Sequence, residues 1–419
     1  MLGMFKSLLT TDSPLSCINL DQKAKQTDFI QRNSRKFSAY GILFALLKCV
    51  IIGKGSFNKI ASHLMDFEEA SCSRQSVYQR INEKCVRYLS SVAYALVANH
   101  SEAASKVCRK WGVKRILTED STFQRMHNSN AANFPGHGNK QGVTSGFKAD
   151  LIYDLLSGKP LSQKLSGGTE QDKTLGKRII KMLRKGDLVL RDMGYFSSDI
   201  FTQIQNKSAH WLSRLPANIK VSTMDGKPLE KLLKSRKNTQ LDMIVRVGDA
   251  ALECRLVAVR ADDKLAAKRR RNRRGASKGK PSQQSIMRDG WHILLTSLDE
   301  THTAKELFEI YRLRWNIEVR FKAWKQAINM KSLFCRASNF HHQEALIYAA
   351  LIFQLIALNV AANLDLRGEA LSLENFAKGV AKSIGIVTSA ADLTFEFDPR
   401  HVLMEKRKRK PLMDQLLTS

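Results

Sequence analysis

The chain has 419 residues, 43% of them hydrophobic, enough for two or three domains with real cores, which excludes a largely disordered protein. Its net charge of +29, with pI near 9.9, goes far beyond what solubility needs and implies a polyanionic partner, nucleic acid before an anionic membrane. Met1–Thr10 holds no apolar run of signal-peptide length, and seven cysteines without a C-x-x-C pair suit a reduced cytosolic chain rather than a disulfide frame or zinc site.

Residues 1–110 read as all-helical. Tyr40–Ile52 is apolar nearly all round, so it is expected as a buried helix, too short to span a membrane and carrying Lys48. Gly53-Lys54-Gly55 breaks the chain before an amphipathic segment, Ser56–Met65. Ser73 then offers an N-cap for a helix over Arg74–Arg80. Two short helices with Arg74 and Gln75 opening the second fit a helix-turn-helix reader of DNA, and equally an ordinary helical hairpin.

From Lys114 the pattern changes. Arg115–Thr118 reads as a short strand running into Glu119-Asp120-Ser121-Thr122. Phe147–Leu156 and Pro160–Leu165 read as an antiparallel pair, followed by a helix near Lys173–Leu183. The apolar strand Asp187–Arg191 ends on Asp192, and a helix near Ser198–Asn206 and a strand near His210–Leu215 complete the alternation. Residues 216–298 carry recurring short strands such as Met243–Val247 and Leu252–Val259, a β-rich insertion. Inside it, Lys264–Pro281 gathers Lys268, Arg269, Arg270, Arg271, Arg273, Arg274, Lys278 and Lys280, and is expected as a mobile loop that binds nucleic-acid backbone. Trp291–Leu298 reads as a buried strand. Ala345–Leu364 is a strongly apolar helix buried in protein, interrupted by Gln354 and Asn359; a second basic run spans Lys406–Lys410.

Between these lies Thr303–Asn329, which has no Gly or Pro and keeps a helical period, predicting one long helix. At about 100° per residue, Tyr311, Arg314, Glu318 and Lys325 fall within an arc of roughly 60°. Beside them Ile310, Leu313, Ile317, Phe321, Trp324 and Ile328 form the core-facing stripe. Arg314 and Glu318 also have the spacing of a solvated ion pair.

The spacing Tyr311-x2-Arg314-x3-Glu318-x6-Lys325 resembles the YREK signature of transposases of the insertion sequence 4 family, with all four positions matching. Asp120-Ser121-Thr122 is like that family's Asp-x-Thr, and Asp192-Met193-Gly194-Tyr195-Phe196 is like its Asp-x-Gly-aromatic. The resemblance implies a DDE-type enzyme with an α/β, ribonuclease H-like core. It also implies two divalent metals (magnesium or manganese) on Asp120, Asp192 and Glu318. Carboxylates converging on two cations about 4 Å apart suit the hydrolysis of phosphodiesters. Tyr311, Arg314 and Lys325 would hold phosphates of the element end, with Lys322 on the same helix; Trp291 would take a flipped base during excision. Glu119 competes with Asp120 for the first position, but strand alternation sends it to the opposite face.

The expected layout is a helical DNA-binding domain over 1–110, a catalytic core over 111–215 and 290–340, a β-rich insertion over 216–289 and a helical region over 341–419. By resemblance the partners are double-stranded DNA, at the terminal inverted repeats and the target, and a second copy in a paired-end complex; no membrane is expected. The implied activity is cleavage at the ends of the protein's own element and joining of the 3′ ends to target DNA. A metal-dependent nuclease without strand transfer, and a transposase-derived regulator with a dead site, are the alternatives.

Overall fold

The computed structural model describes residues 9–31, 38–68, 71–98, 111–139, 142–235, 239–276, 282–336, 339–364, 372–386, 394–397 and 399–402. The chain first forms a strand, β1 (Leu9–Asp12), so the N-terminal part is not wholly helical as expected. Five helices follow: α1 (Leu20–Gln26), α2 (Ala39–Ile52), α3 (Phe57–Glu68), α4 (Arg74–Arg80) and α5 (Glu83–Ala98). Their ends follow local chemistry. Ser38 and Ser73 accept hydrogen bonds from the Gly41 and Ser76 amides and cap α2 and α4. Gly53, at φ +73°, closes α2 in the left-handed conformation.

The central sheet is built from β2 (Arg115–Met126), β3 (Pro135–Asn139), β4 (Gly142–Asp154), β5 (Lys159–Gly167), β6 (Asp187–Arg191), β7 (His210–Arg214), β8 (Val221–Thr223), β9 (Gln240–Val247), β10 (Leu252–Arg260) and β11 (Trp291–Thr296). The intervening helices are α6 (Asp172–Leu175), α7 (Ser198–Asn206), α8 (Leu229–Leu233), α9 (Asp263–Ala276) and α10 (Gln283–Arg288). The strands run in the order β3-β4-β2-β6-β7-β11-β10-β9-β8, with β5 also paired to β4. β2, β6 and β7 are mutually parallel and the remaining pairs antiparallel, so the sheet is mixed. The β4–β5 hairpin and α7 match expectation, whereas the predicted helix at 173–183 is one α-turn and a 3₁₀ turn, Arg178–Met182. Residues 216–289 do not make a sheet apart: β8, β9 and β10 continue the central one through β11.

The basic stretch is also not a loop where it is described. Residues 263–276 form α9, because Ala, Lys and Arg are good helix formers and Asp263 favours the first turn. Arg273 clasps Asp289 through two bonds of 2.6 and 2.9 Å, and Arg269 reaches the Trp291 carbonyl at 3.2 Å, fastening one side of α9. Lys278, Lys280 and Lys406–Lys410 lie outside the described residues.

The predicted single long helix is two, α11 (Ala304–Arg312) and α12 (Trp315–Ala327). Thr303 and Glu306 form a capping box at its start. At the junction the Leu313 and Arg314 amides bond the carbonyls three residues back, a 3₁₀ tightening that re-aims the second helix while φ and ψ stay right-handed. The apolar stripe is buried as expected, except that Leu313 is half-buried. α13 (Met330–Leu333), α14 (Phe340–Asn363), α15 (Leu373–Ile386), β12 (Thr394–Phe397) and α16 (Pro399–Val402) follow, and β12 pairs antiparallel with β1.

Strand alternation divides the core. Ile116, Leu188, Leu190 and Leu212 face α11 through Leu307 and Ile310. Leu117, Val189 and Trp211 face α7, where the Trp211 and Phe201 rings stack at 3.9 Å. A third cluster packs α2, α5, α12 and α14 against Phe147 and Leu151 of β4. Among the described residues α14 is the one helix long and apolar enough to cross a membrane, and most of it is buried inside the protein. Its Asn359 is satisfied by the Leu96 and Leu355 carbonyls.

Candidate active site

β2 and β6 pair in register from Arg115 opposite Asp187 to Thr118 opposite Leu190. Two residues further on each strand stand Asp120 and Asp192. Alternation puts both on the face of Thr118 and Leu190, toward α11 and α12. Asp120 does not end its strand as expected; β2 runs on to Met126, held there by β4 alone, and the parallel pairing is what stops. Asp192 begins the 3₁₀ turn Met193–Tyr195.

α12 brings Glu318 to the same place. Burial raises the Asp120 carboxyl to about 7; the Ser121 amide and Arg314 oppose this, and the Glu318 and Asp192 carboxylates push it further up. Asp192 and Glu318 therefore both lie near enough to Asp120 to act on its charge. Arg314 holds Glu318 Oε1 at 2.6 Å, and its guanidinium lies 5.8 Å from the centre of the Tyr311 ring. Burial opposes the Arg314 charge, but Tyr311, Asp192 and Glu318 outweigh it and keep it firmly protonated. The Tyr311 hydroxyl donates to the Arg191 carbonyl at 3.1 Å, tying α11 to the strand end that carries Asp192, and burial lifts its pKa to about 12.

These oxygen donors suit a hard divalent cation. Glu318 is turned onto Arg314, and among the described residues no three His, Cys, Asp or Glu side chains come together closely enough to hold one ion. The donor set fits such an ion in kind, while Glu318 Oε1 is engaged by Arg314.

The other predicted residues are spread more widely. Lys325 donates to the Phe123 carbonyl of β2 at 2.9 Å, and burial lowers its pKa; Lys322 is exposed one turn away. Trp291 is 5% exposed, its indole N–H donates to the Leu233 carbonyl at 3.2 Å, and Arg260 lies over its ring. Because β11 runs against β7, Trp291 sits at the same sheet end as Asp192, in the wall of a cavity of about 800 Å³ shared with Met193 and Arg214. Arg269 and Arg273 also line that cavity and are committed to protein partners, whereas Arg270 and Arg271 are exposed. The side chain of Arg274 lies outside the described residues. Arg74 and Gln75 are exposed in the first turn of α4, remote in sequence from the carboxylates.

Sequence reasoning missed the other side of the sheet. Glu119 does point away from Asp120, but into a fully buried ion pair with Arg191 at 3.0 Å. Burial drives the Glu119 carboxyl upward and Arg191 opposes it. Arg191 also donates to the Gly176 and Tyr195 carbonyls, the Tyr195 hydroxyl donates to Asp150, and Asp150 pairs with Arg178. The available signal was a charged residue directly preceding each of the two strand-borne acids, Glu119 before Asp120 and Arg191 before Asp192. Arg214, exposed at the end of β7 facing Tyr311, gave no such signal.

The chain is also similar to known proteins. The pattern of the transposase DDE domain matches residues 111–354, a span holding all three carboxylates. The transposase for insertion sequence element IS231E of Bacillus thuringiensis subsp. finitimus is 27% identical over 340 residues, covering 73% of this chain and 70% of the relative. That of IS231F, from Bacillus thuringiensis subsp. israelensis, is 26% identical over 416 residues, covering 90% and 84%. The transposase for IS1151 of Clostridium perfringens is 20% identical over 341 residues, covering 75% and 72%. The relatives are transposases of the insertion sequence 4 type, and because the match to the transposase DDE domain covers more than half of the chain, the protein belongs to the DDE transposases, DNA-cleaving enzymes.

Proposed function

We infer that the protein carries out cut-and-paste transposition: it binds the terminal repeats of its own element, cuts at their ends and joins the 3′ ends to target DNA. The observation that supports this most is the lateral alignment of Asp120 and Asp192 on one sheet face, with Glu318 brought alongside by α12. Asp120, Asp192 and Glu318 would hold magnesium or manganese, two ions in this reading; such ions supply an activated water and neutralise the developing charge on the phosphate.

The chain's own residues then have separate tasks. Arg314 passes from Glu318 to a DNA phosphate when the carboxylate is claimed, so its charge stays at the scissile strand. Tyr311 holds α11 to the end of β6. Lys325 and Lys322 extend the cationic track along α12. Exposed Lys268, Arg270 and Arg271 on α9 bind backbone without regard to sequence. Arg74 and Gln75 read the terminal repeat from the helical N-terminal domain. Trp291, at the rim of the cavity beside Met193, receives a flipped base if excision passes through a hairpin. Two copies of the chain hold the paired ends, in a cytoplasmic setting.

Incubation of the purified protein with magnesium and labelled DNA spanning an element end and its flank tests the reading. Nicks at the element end followed by joined products are expected. Nicks that never join would make the protein a nuclease, and end binding without nicks in magnesium or manganese would make it a regulator.

A further inference from the structure

The Glu119 and Arg191 side chains are fully buried and lie on the face of the sheet away from Asp120 and Asp192. They cannot touch DNA. Their place in the chain is nevertheless tightly coupled to the carboxylates, because Glu119 precedes Asp120 on β2 and Arg191 precedes Asp192 on β6. The regular pairing of these strands ends at Thr118 and Leu190. Immediately beyond that point β2 is held by β4 and β6 by β7, but the two strands are no longer paired with each other, and the 3.0 Å ion pair crosses between them.

Arg191 does more than bridge. It donates to the Tyr195 carbonyl at 3.0 Å and the Gly176 carbonyl at 2.6 Å, so the turn after Asp192 is drawn onto the back of the sheet. The Tyr195 hydroxyl continues to Asp150 at 3.1 Å, on β4, the other neighbour of β2. Glu119, Asp150 and Asp172 are matched by Arg191, Arg178 and Lys148, so the back face adds no large net charge beneath the front-face acids. A buried pair of this kind is seldom retained for stability, since apolar residues of similar volume commonly serve as well or better.

We propose that Glu119 and Arg191 are positioning residues, a cross-strand clamp that fixes the separation of Asp120 and Asp192 so that both can engage divalent metal. This rests on the assignment of Asp120 and Asp192 as metal ligands. Partners behind ligating side chains typically change metal affinity by about 10–100-fold when removed.

The test measures manganese binding directly, by the electron paramagnetic resonance signal of free Mn2+ during titration of the full chain. Parent, Asp120→Asn, the double variant Glu119→Leu/Arg191→Met, and Arg191→Lys are compared. Circular dichroism and binding to an element-end duplex report on the fold. Arg191→Lys retains the charge but loses the fork that reaches Glu119, Gly176 and Tyr195 together. The expected result is that the double variant folds, binds end DNA like the parent, and holds manganese about 10–100-fold more weakly. A folded double variant with parental manganese affinity overturns the clamp. Should the double variant unfold, Arg191→Lys decides by the same two outcomes. Absence of Asp120-dependent manganese binding in the parent overturns the ligand assignment and the clamp together, whereas parental affinity in the clamp variants alone overturns only the clamp.

Discussion

Arg314 donates to Glu318 at 2.6 Å across one turn at the start of α12, so the last of the three predicted metal ligands is neutralised by its own helix. Arg314→Ala is expected to leave a purified, folded protein that no longer cleaves, because Asp120 and Glu318 lose their nearest cation and the DNA loses a phosphate contact. The slope of log K for a cut end against log salt should fall by about 0.9. An unchanged slope in binding assays from low to high salt would confine Arg314 to a local ion pair.

Asp120→Asn, Asp192→Asn and Glu318→Gln should each abolish nicking by several orders of magnitude while leaving affinity for the element end within a few-fold. Gel shift and nicking assays on the same preparation separate the two, since contacts elsewhere carry most of the affinity. Normal nicking by Asp192→Asn would remove it from the site.

Neutral replacement of Lys268, Arg270 and Arg271 together should weaken binding to every DNA sequence equally and keep the melting temperature. Arg273→Ala should behave oppositely. It strips the bidentate partner from Asp289, which is buried, so the fold should lose about 1–3 kcal/mol in denaturant titrations. A stable Arg273→Ala variant with a sequence-independent binding defect would place Arg273 with the DNA-binding group.

Trp291 is too well buried for truncation to be informative, because removing a core Trp costs about 3–5 kcal/mol. Trp291→Phe keeps the bulk and loses the bond to the Leu233 carbonyl. If the ring supports a flipped base, the variant should slow hairpin closure more than the first nick, as followed on denaturing gels. An equal effect on both steps would assign Trp291 to the core.

Stability should fall in mild acid. Burial lowers the His342 pKa from 6.5 to about 4, and the ring stacks on Phe57 at 4.2 Å. Between these values the unfolded chain takes up a proton that the folded chain refuses. The His342 contribution is therefore complete above pH 6.5 and is lost progressively as pH falls toward 4, about 3 kcal/mol at most. His342→Phe should flatten the decline of urea stability over this range; an unchanged profile would assign the decline to other groups.

What the sequence made legible follows from how local each signal is. Ser73 caps α4 as read, Asp187–Arg191 is a strand as read, and the Ile317, Phe321 and Trp324 stripe is buried as read, because capping and periodicity act over a few residues. The break at Leu313-Arg314 was not legible, since both residues keep helical dihedrals and only the hydrogen bonds shift. α9 was misread because charge density suggested a loop, while its anchors, Asp289 and Trp291, lie sixteen and twenty-two residues beyond Arg273 and Arg269. The Glu119–Arg191 pair is equally non-local: seventy-two residues separate its members, and strand pairing alone makes them neighbours.

The pairing of β1 with β12 sets an order on synthesis. Thr10 meets Glu396, so the first described strand has no partner until the chain has been made almost to its last described helix. At about 5–20 residues per second, that wait is roughly 20–80 s. During this interval the segment from Leu9 to Asp12 is an open strand edge on a nascent chain.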